Sequence, residues 1–241
     1  MKYFRLNYTL NTKIRGAGNS TIKEYIYHGS IEDPKFIGRI HFEKVDFEPI
    51  PVNPVLFAKA NKTDLIEGGG QLSRKILIST KLKSYLQKND YGIQYFRNSV
   101  FHKGIEDEEY WVVNPYESLN QFVDFNKSKI IIRRKKVGGG TYVEDLEVKD
   151  LNQFNSEIEE ADKKIEIVTI EKIYLKEESL DKDFFVLQRT FGGISFVVSE
   201  KLKKEIEDAG CTGIEFQPIE LSYNEWVVSG GEREKVYGKS W

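Results

Sequence analysis

The chain has 241 residues, with 36 basic and 38 acidic side chains, a net charge of −2 and 31% charged residues. That length is enough for a substantial core without staples, and the balanced charge excludes a global field that would draw the chain to nucleic acid or anionic lipid. One cysteine, Cys211, excludes an internal disulfide. The first residues, Met1-Lys2-Tyr3-Phe4-Arg5-Leu6-Asn7-Tyr8, lack the apolar stretch of a signal peptide, and no segment approaches the ~20 apolar residues of a membrane span. A soluble cytoplasmic protein is expected.

In chain order the signals are mostly those of strands. Tyr3 to Leu10 alternates, Gly16-Ala17-Gly18-Asn19-Ser20 breaks the pattern, and Ile22 to Tyr27 resumes it. Asp33-Pro34, Pro49, Pro51 and Pro54 are expected to keep residues 30–55 extended and irregular, wrapping the body rather than forming its centre. Residues 58–74, with Gly68-Gly69-Gly70, read as a mobile approach to the next unit. Tyr110-Trp111-Val112-Val113 is a buried strand stopping at Asn114-Pro115, and Ser118 to Phe125 is a strand or short helix. Lys129 to Val137 and Thr141 to Val148 flank Gly138-Gly139-Gly140, a hairpin with a flexible tip. Residues 150–164 form a short exposed helix or a linker. Ile165 to Leu175 and Phe184 to Thr190 are strands, and the chain closes with Ser229-Gly230-Gly231 and a polar tail.

One pattern occurs twice. Ile76-Leu77-Ile78-Ser79-Thr80-Lys81-Leu82-Lys83-Ser84-Tyr85-Leu86 is answered by Phe196-Val197-Val198-Ser199-Glu200-Lys201-Leu202-Lys203-Lys204-Glu205-Ile206 at an offset of 120 residues. After a one-residue slip Gly92-Ile93-Gln94-Tyr95 matches Gly213-Ile214-Glu215-Phe216. Each copy, around 76–96 and 196–216, reads as strand, Ser cap, helix, Gly, strand. Ser79 and Ser199 are expected to cap their helices, a contribution of roughly 1 kcal/mol each. Leu82 and Leu86, like Leu202 and Ile206, are four apart and share a helical face. No base is tied to either serine by motif, so a nucleophile is a poor reading of them. The fold class is α+β and strand-rich, and the offset favours one body of two related halves, about 1–126 and 127–241.

The chain offers little that resembles catalytic chemistry. Gly16-Ala17-Gly18 lacks the third glycine and the following apolar helix of a dinucleotide fingerprint. Gly68 to Lys75 does not have phosphate-loop spacing. His28, His41 and His102 are scattered, so no zinc site is expected, and no cofactor is indicated. Glu106-Asp107-Glu108-Glu109 lacks the pattern of a calcium loop, and a solvated acidic turn is the better account.

Two features remain as contact surface. Lys127, Lys129, Arg133, Arg134, Lys135 and Lys136 surround Ile130-Ile131-Ile132 on the hairpin strand. This basic edge either protects against edge-to-edge pairing or receives an acidic partner or phosphate backbone. Among the aromatics, Tyr142, Tyr223, Trp226 and Tyr237, near the glycine loops, are the expected exposed anchors.

The order of blocks also carries a likeness. The Ser79 to Tyr95 unit is followed by Tyr110-Trp111-Val112-Val113-Asn114-Pro115, then Phe122-Val123-Asp124-Phe125-Asn126-Lys127-Ser128, then Phe184-Phe185-Val186-Leu187-Gln188-Arg189 leading into Phe196 to Phe216. Over roughly residues 60–220 this resembles a family of bacterial immunity proteins from polymorphic toxin systems, formerly a domain of unknown function, named after a myxococcal member. The resemblance implies a cytoplasmic antidote that binds one cognate toxin and blocks it by occluding its active site, with no catalytic residues of its own. The surface is then expected on the 129–145 hairpin, at Arg133, Arg134, Lys135, Lys136 and Tyr142, or on the acidic turn, at Glu106, Asp107 and Glu108. Two rival classes stay open: a nucleic-acid-binding module using the 127–136 strand, and an enzyme with an unrecognised site built from groups such as His102, Asp124 or Glu215.

Overall fold

The computed structural model describes residues 2–18, 20–176 and 181–239; Asn19, within the glycine break, lies outside the described residues. The strands are β1 (Tyr3–Tyr8), β2 (Ile22–Tyr27), β3 (Val52–Leu56), β4 (Leu65–Glu67), β5 (Ile76–Ser79), β6 (Ile93–His102), β7 (Ile105–Pro115), β8 (Lys129–Lys135), β9 (Thr141–Leu146), β10 (Ile167–Lys172), β11 (Phe184–Thr190), β12 (Gly193–Ser199) and β13 (Ile214–Pro218). The helices are α1 (Thr12–Arg15), α2 (Thr80–Leu86), α3 (Leu151–Lys163), α4 (Glu200–Asp208), α5 (Tyr223–Val227) and α6 (Glu232–Tyr237). The fold is α+β and strand-rich, with a seven-stranded sheet in the order β13-β1-β12-β11-β10-β8-β9 and a six-stranded sheet in the order β2-β3-β6-β7-β5-β4.

The duplicated sequence makes a duplicated topology. In the first copy β5 and β6 flank β7 and pair with it antiparallel; in the second, β12 and β13 flank β1 in the same way. Each copy is therefore a strand-helix-strand unit split by a third strand. That strand follows the unit in one case and comes from the N-terminus in the other. Ser79 faces Tyr110 across the ladder and Ser199 faces Tyr3. An upstream strand completes each unit, β4 on β5 and β11 on β12.

Both serines cap as expected. Ser79 Oγ accepts from Leu82 N and Ser199 Oγ from Leu202 N, each at 3.1 Å. Each hydroxyl also donates to an aspartate, Ser79 to Asp64 (2.6 Å) and Ser199 to Asp183 (2.5 Å). The other oxygen of each aspartate reaches into the opposite copy. Asp64 Oδ2 accepts from Thr212 N (2.7 Å), and Asp183 Oδ2 accepts from Asn89 Nδ2 (3.3 Å). The exchange is repeated in the backbone, where Leu65 N donates to Thr212 O and Phe184 N to Asn89 O. Gly92 and Gly213 hold positive φ, 67° and 82°, and a Cβ there would come within 2.6 Å of Glu117 or 2.5 Å of Thr63. Only glycine fits both demands.

The pleat divides the apolar side chains. Ile78, Val113, Phe184, Val186, Phe196 and Val198 join the stripes Leu82, Leu86, Leu202 and Ile206 in one cluster shared by both sheets. The opposite face of the seven-stranded sheet packs Phe185, Leu187, Val197, Ile130 and Ile132 with Phe154 and Ala161 of α3. The opposite face of the six-stranded sheet packs Leu77, Val100 and Val112 with Phe36, Ile37 and Ile40.

Three local expectations are corrected. The 30–55 segment does more than wrap: Phe36, Ile37 and Ile40 are core, and β3 lies between β2 and β6 despite Pro54. The 58–74 approach is built in, with β4 paired to β5 and Leu72 fully buried. The tail after Ser229 forms α6, whose Arg233 is buried against Glu215 with contacts of 2.7 and 2.6 Å. Glu215 also accepts from Thr9 Oγ1 (2.7 Å) and Leu10 N (2.8 Å), so its charge is fully engaged.

Candidate functional site

The hairpin forms where its glycines predict, with Gly138–Gly140 at the tip and nothing packed against them. Its basic strand is not an edge, however. β8 runs between β10 and β9, so β9 is the outer strand. The cations divide by the carboxylates each one meets rather than by face, since Lys129 and Arg134 point to opposite faces and both are paired. Arg134 binds Glu144 and, at 2.9 Å, Glu166; Lys129 binds Glu171 (2.9 Å) and Asp145 (3.4 Å). Hydrogen bonds to Glu171 and Glu144 raise the pKa values of Lys129 and Arg134 respectively. Lys127 pairs with Asp124 at 3.3 Å. Arg133, Lys135 and Lys136 are exposed, as is Tyr142, and none of the three cations has an ionic partner among the described residues.

The acidic residues are in a strand rather than a turn. The β6–β7 turn is at Lys103-Gly104, and Glu106 and Asp107 pair with Phe101 and Val100. Asp107 is held by Lys62 at 2.6 Å, and that hydrogen bond lowers its pKa. Glu106 and Glu108 are exposed. The two candidate surfaces therefore belong to different sheets.

The aromatic anchors are redistributed. Trp226 is buried, and the Tyr237 hydroxyl accepts from Phe216 N (2.8 Å). Tyr223 stacks on Phe191 with ring centroids 4.4 Å apart and an interplanar angle of 6°. Phe191, at the β11–β12 turn, is 51% exposed and is the aromatic residue missed in the sequence. Its only signal was an apolar ring placed directly before Gly192-Gly193.

Beside that turn lies a cleft of about 600 Å³ with residues of both sheets in its walls. Its titratable lining is entirely basic: His41, Arg74, Lys75, Arg133 and Arg189. Lys75 is buried, donates to Ile40 O (2.5 Å), and is pushed down by burial to about 8. Burial, then Lys75 and Arg74, lowers the pKa of His41. Arg189 is paired with Asp162 of α3 at 2.9 Å, whereas Arg74 and Arg133 have no ionic partner among the described residues. Phe42, Arg74 and Arg189 hold left-handed backbone, φ 55°, 63° and 56°, three of the five such non-glycine positions among the described residues. Such conformations cost about 1–3 kcal/mol each and cluster at functional sites.

A smaller concavity of about 250 Å³ shares Phe191, Gly192 and Ile194 with the cleft and is lined by Arg5, Glu215 and Tyr223 among others. His102, at the end of β6, and Asp124, before β8, line neither concavity. Burial raises the Cys211 thiol to about 11. Among the described residues no group of three or more His, Cys, Asp or Glu side chains is placed to hold a metal ion, and no helix is long and apolar enough to cross a membrane.

These features define a two-sheet α+β scaffold with a duplicated split unit and a cationic cleft between its sheets. The model of the immunity protein family Imm11 matches residues 3–221, and the chain belongs to that family. Its role is accordingly that of an immunity protein. No curated protein matches the chain.

Proposed function

We propose that the protein is a cytoplasmic antidote that binds one cognate toxin and blocks it by occluding the toxin's active site. The observation that carries this reading is the family match over 3–221. The mechanism needs a rigid body and a specific surface rather than catalytic groups of its own. Exposed charges at the rim steer association, and an aromatic or arginine anchor supplies affinity. Arg133, Lys135, Lys136 and Tyr142 on the hairpin are the favoured surface, because they remain free of local ion pairs and exposed. Glu106 and Glu108 on β7 are the second choice. The same reading treats the chain as one unit of two halves, about 1–126 and 127–241. The reciprocal bonds of Asp64 and Asp183 support it, and β1 crosses from the first half into the sheet of the second.

The test is charge reversal measured against a candidate cognate toxin, sought first in the protein encoded next to this gene. Arg133→Glu is expected to weaken the complex by slowing association and to flatten its loss of affinity with salt, since the attraction that salt screens is gone. Arg134→Glu is expected to disturb the hairpin itself, since it places a third carboxylate beside Glu144 and Glu166. If neither Arg133→Glu nor a Glu106→Lys/Glu108→Lys pair alters affinity, the surface is elsewhere. If the wild-type chain does not bind the toxin, the antidote reading fails.

A further inference from the structure

We propose that the cleft between the two sheets binds a small phosphorylated ligand of nucleotide size, with its phosphates on Arg74 and Arg133 and a planar ring against Phe191. This does not rest on the antidote reading.

The argument begins with charge. The residues preceding β5 bring Arg74 and Lys75 to the gap, and the seven-stranded sheet brings Arg133 and Arg189, with no carboxylate in the lining. Like charges held together in a concave, partly apolar site repel one another unless an anion joins them. Several other arginines are neutralised locally, Arg134 by two glutamates and Arg233 by Glu215, and within the cleft Arg189 by Asp162. Arg74 and Arg133 are the exceptions within the cleft, and a planar guanidinium is well suited to phosphate because it donates two parallel hydrogen bonds.

Geometry points the same way. Arg74 sits at φ 63°, a backbone conformation that an arginine adopts only when its surroundings impose it. Its Nε lies against Gly193 of the opposite sheet, 3.7 Å from where a Cβ would be, so the guanidinium reaches across the gap. The volume of about 600 Å³ is within the roughly 300–1,000 Å³ typical of small-molecule sites. At the rim Phe191 is held flat by Tyr223, which leaves a braced aromatic platform half open to solvent. An aromatic ring that stacks a base beside cations that take its phosphates is the arrangement by which single-stranded nucleic acid is held.

Isothermal titration of the full chain at low salt would test this, with ATP, inorganic pyrophosphate, adenosine and a hexaglutamate peptide as probes. ATP and pyrophosphate are expected to bind, ATP more tightly, and adenosine not to bind. Arg74→Gln and Arg133→Gln should each weaken ATP roughly tenfold or more, the loss expected for a charge-assisted hydrogen bond. Phe191→Ala should weaken ATP but not pyrophosphate, and Arg134→Gln should change neither. Absence of ATP and pyrophosphate binding at millimolar concentration would overturn the proposal. So would binding that survives both cleft substitutions. Binding of hexaglutamate without ATP would also overturn it and give the cleft to an acidic protein segment.

Discussion

Replacing Arg233 by Ala should be among the most damaging single changes in the chain, although it lies beyond the residues matched by the family. Its guanidinium makes two contacts with the Glu215 carboxylate, at 2.7 and 2.6 Å, and both side chains are almost inaccessible, 3% and 1% exposed. Truncation leaves the buried Glu215 carboxyl without its cation, with Thr9 Oγ1 and Leu10 N as its remaining donors. Breaking a buried pair from one side costs roughly 3–5 kcal/mol. At about 2–4 °C per kcal/mol for a chain of this size, Tm should fall roughly 6–20 °C. The double variant Glu215→Gln/Arg233→Met should recover most of the loss, because Thr9 and Leu10 both donate to the same oxygen of Glu215 and an amide oxygen can accept both bonds. Calorimetry or thermal unfolding followed by circular dichroism reads both. A fall of less than about 2 °C for Arg233→Ala, or a double variant less stable than the single, would refute the reasoning.

Ser79→Ala and Ser199→Ala should each cost about 1–2 kcal/mol in urea unfolding, since each removes a cap and strips a donor from Asp64 or Asp183; equal stability to wild type would show that the caps are idle. Asp183 should give an acid-dependent loss: burial raises its pKa, but hydrogen bonds from Ser199, Asn89 and Lys201 outweigh burial and the net shift is downward. A depressed carboxylate contributes fully above its unfolded value near 3.9 and loses that contribution as pH falls through the folded pKa. The Tm difference between wild type and Asp183→Asn should therefore shrink below about pH 4, and a difference unchanged by pH would contradict the assignment. Lys75→Met should gain stability relative to wild type at pH 7, because the ammonium is held buried at a pKa of about 8. That advantage should fade as pH rises toward the unfolded value near 10.4, and thermal unfolding from pH 7 to 10 would check it.

What the sequence made legible was local. An apolar run, a serine and two apolar residues four apart suffice to place β5 with α2 and β12 with α4, because caps and helical stripes are decided within one or two turns. The strands that complete the two units, β7 and β1, were legible as strands but their insertion into those units was not, since β1 pairs across nearly the whole chain. Asp64 and Asp183 carry no signal beyond a shared residue type before a strand, and the spacing to their serines differs by one. The basic strand illustrates a subtler limit. Its composition was evident, but which of its cations meets a carboxylate is set by the neighbouring segments, which pair Lys129 and Arg134 and leave Arg133 free among the described residues. Four consecutive acids read as a turn because polarity resembles a loop, yet long β6–β7 pairing carries them in a ladder. The cleft draws on separate segments around residues 41, 74, 115, 131, 167 and 188–194, so no window of sequence contains it.

The central claim is that this immunity protein binds and silences one toxin. The most direct measurement is titration of the purified chain into a candidate cognate toxin, such as the protein encoded next to it, with complex stoichiometry and toxin activity followed together. A defined complex whose formation abolishes activity in proportion to occupancy is the predicted result. No complex, or a saturated complex in which the toxin stays active, would contradict the account.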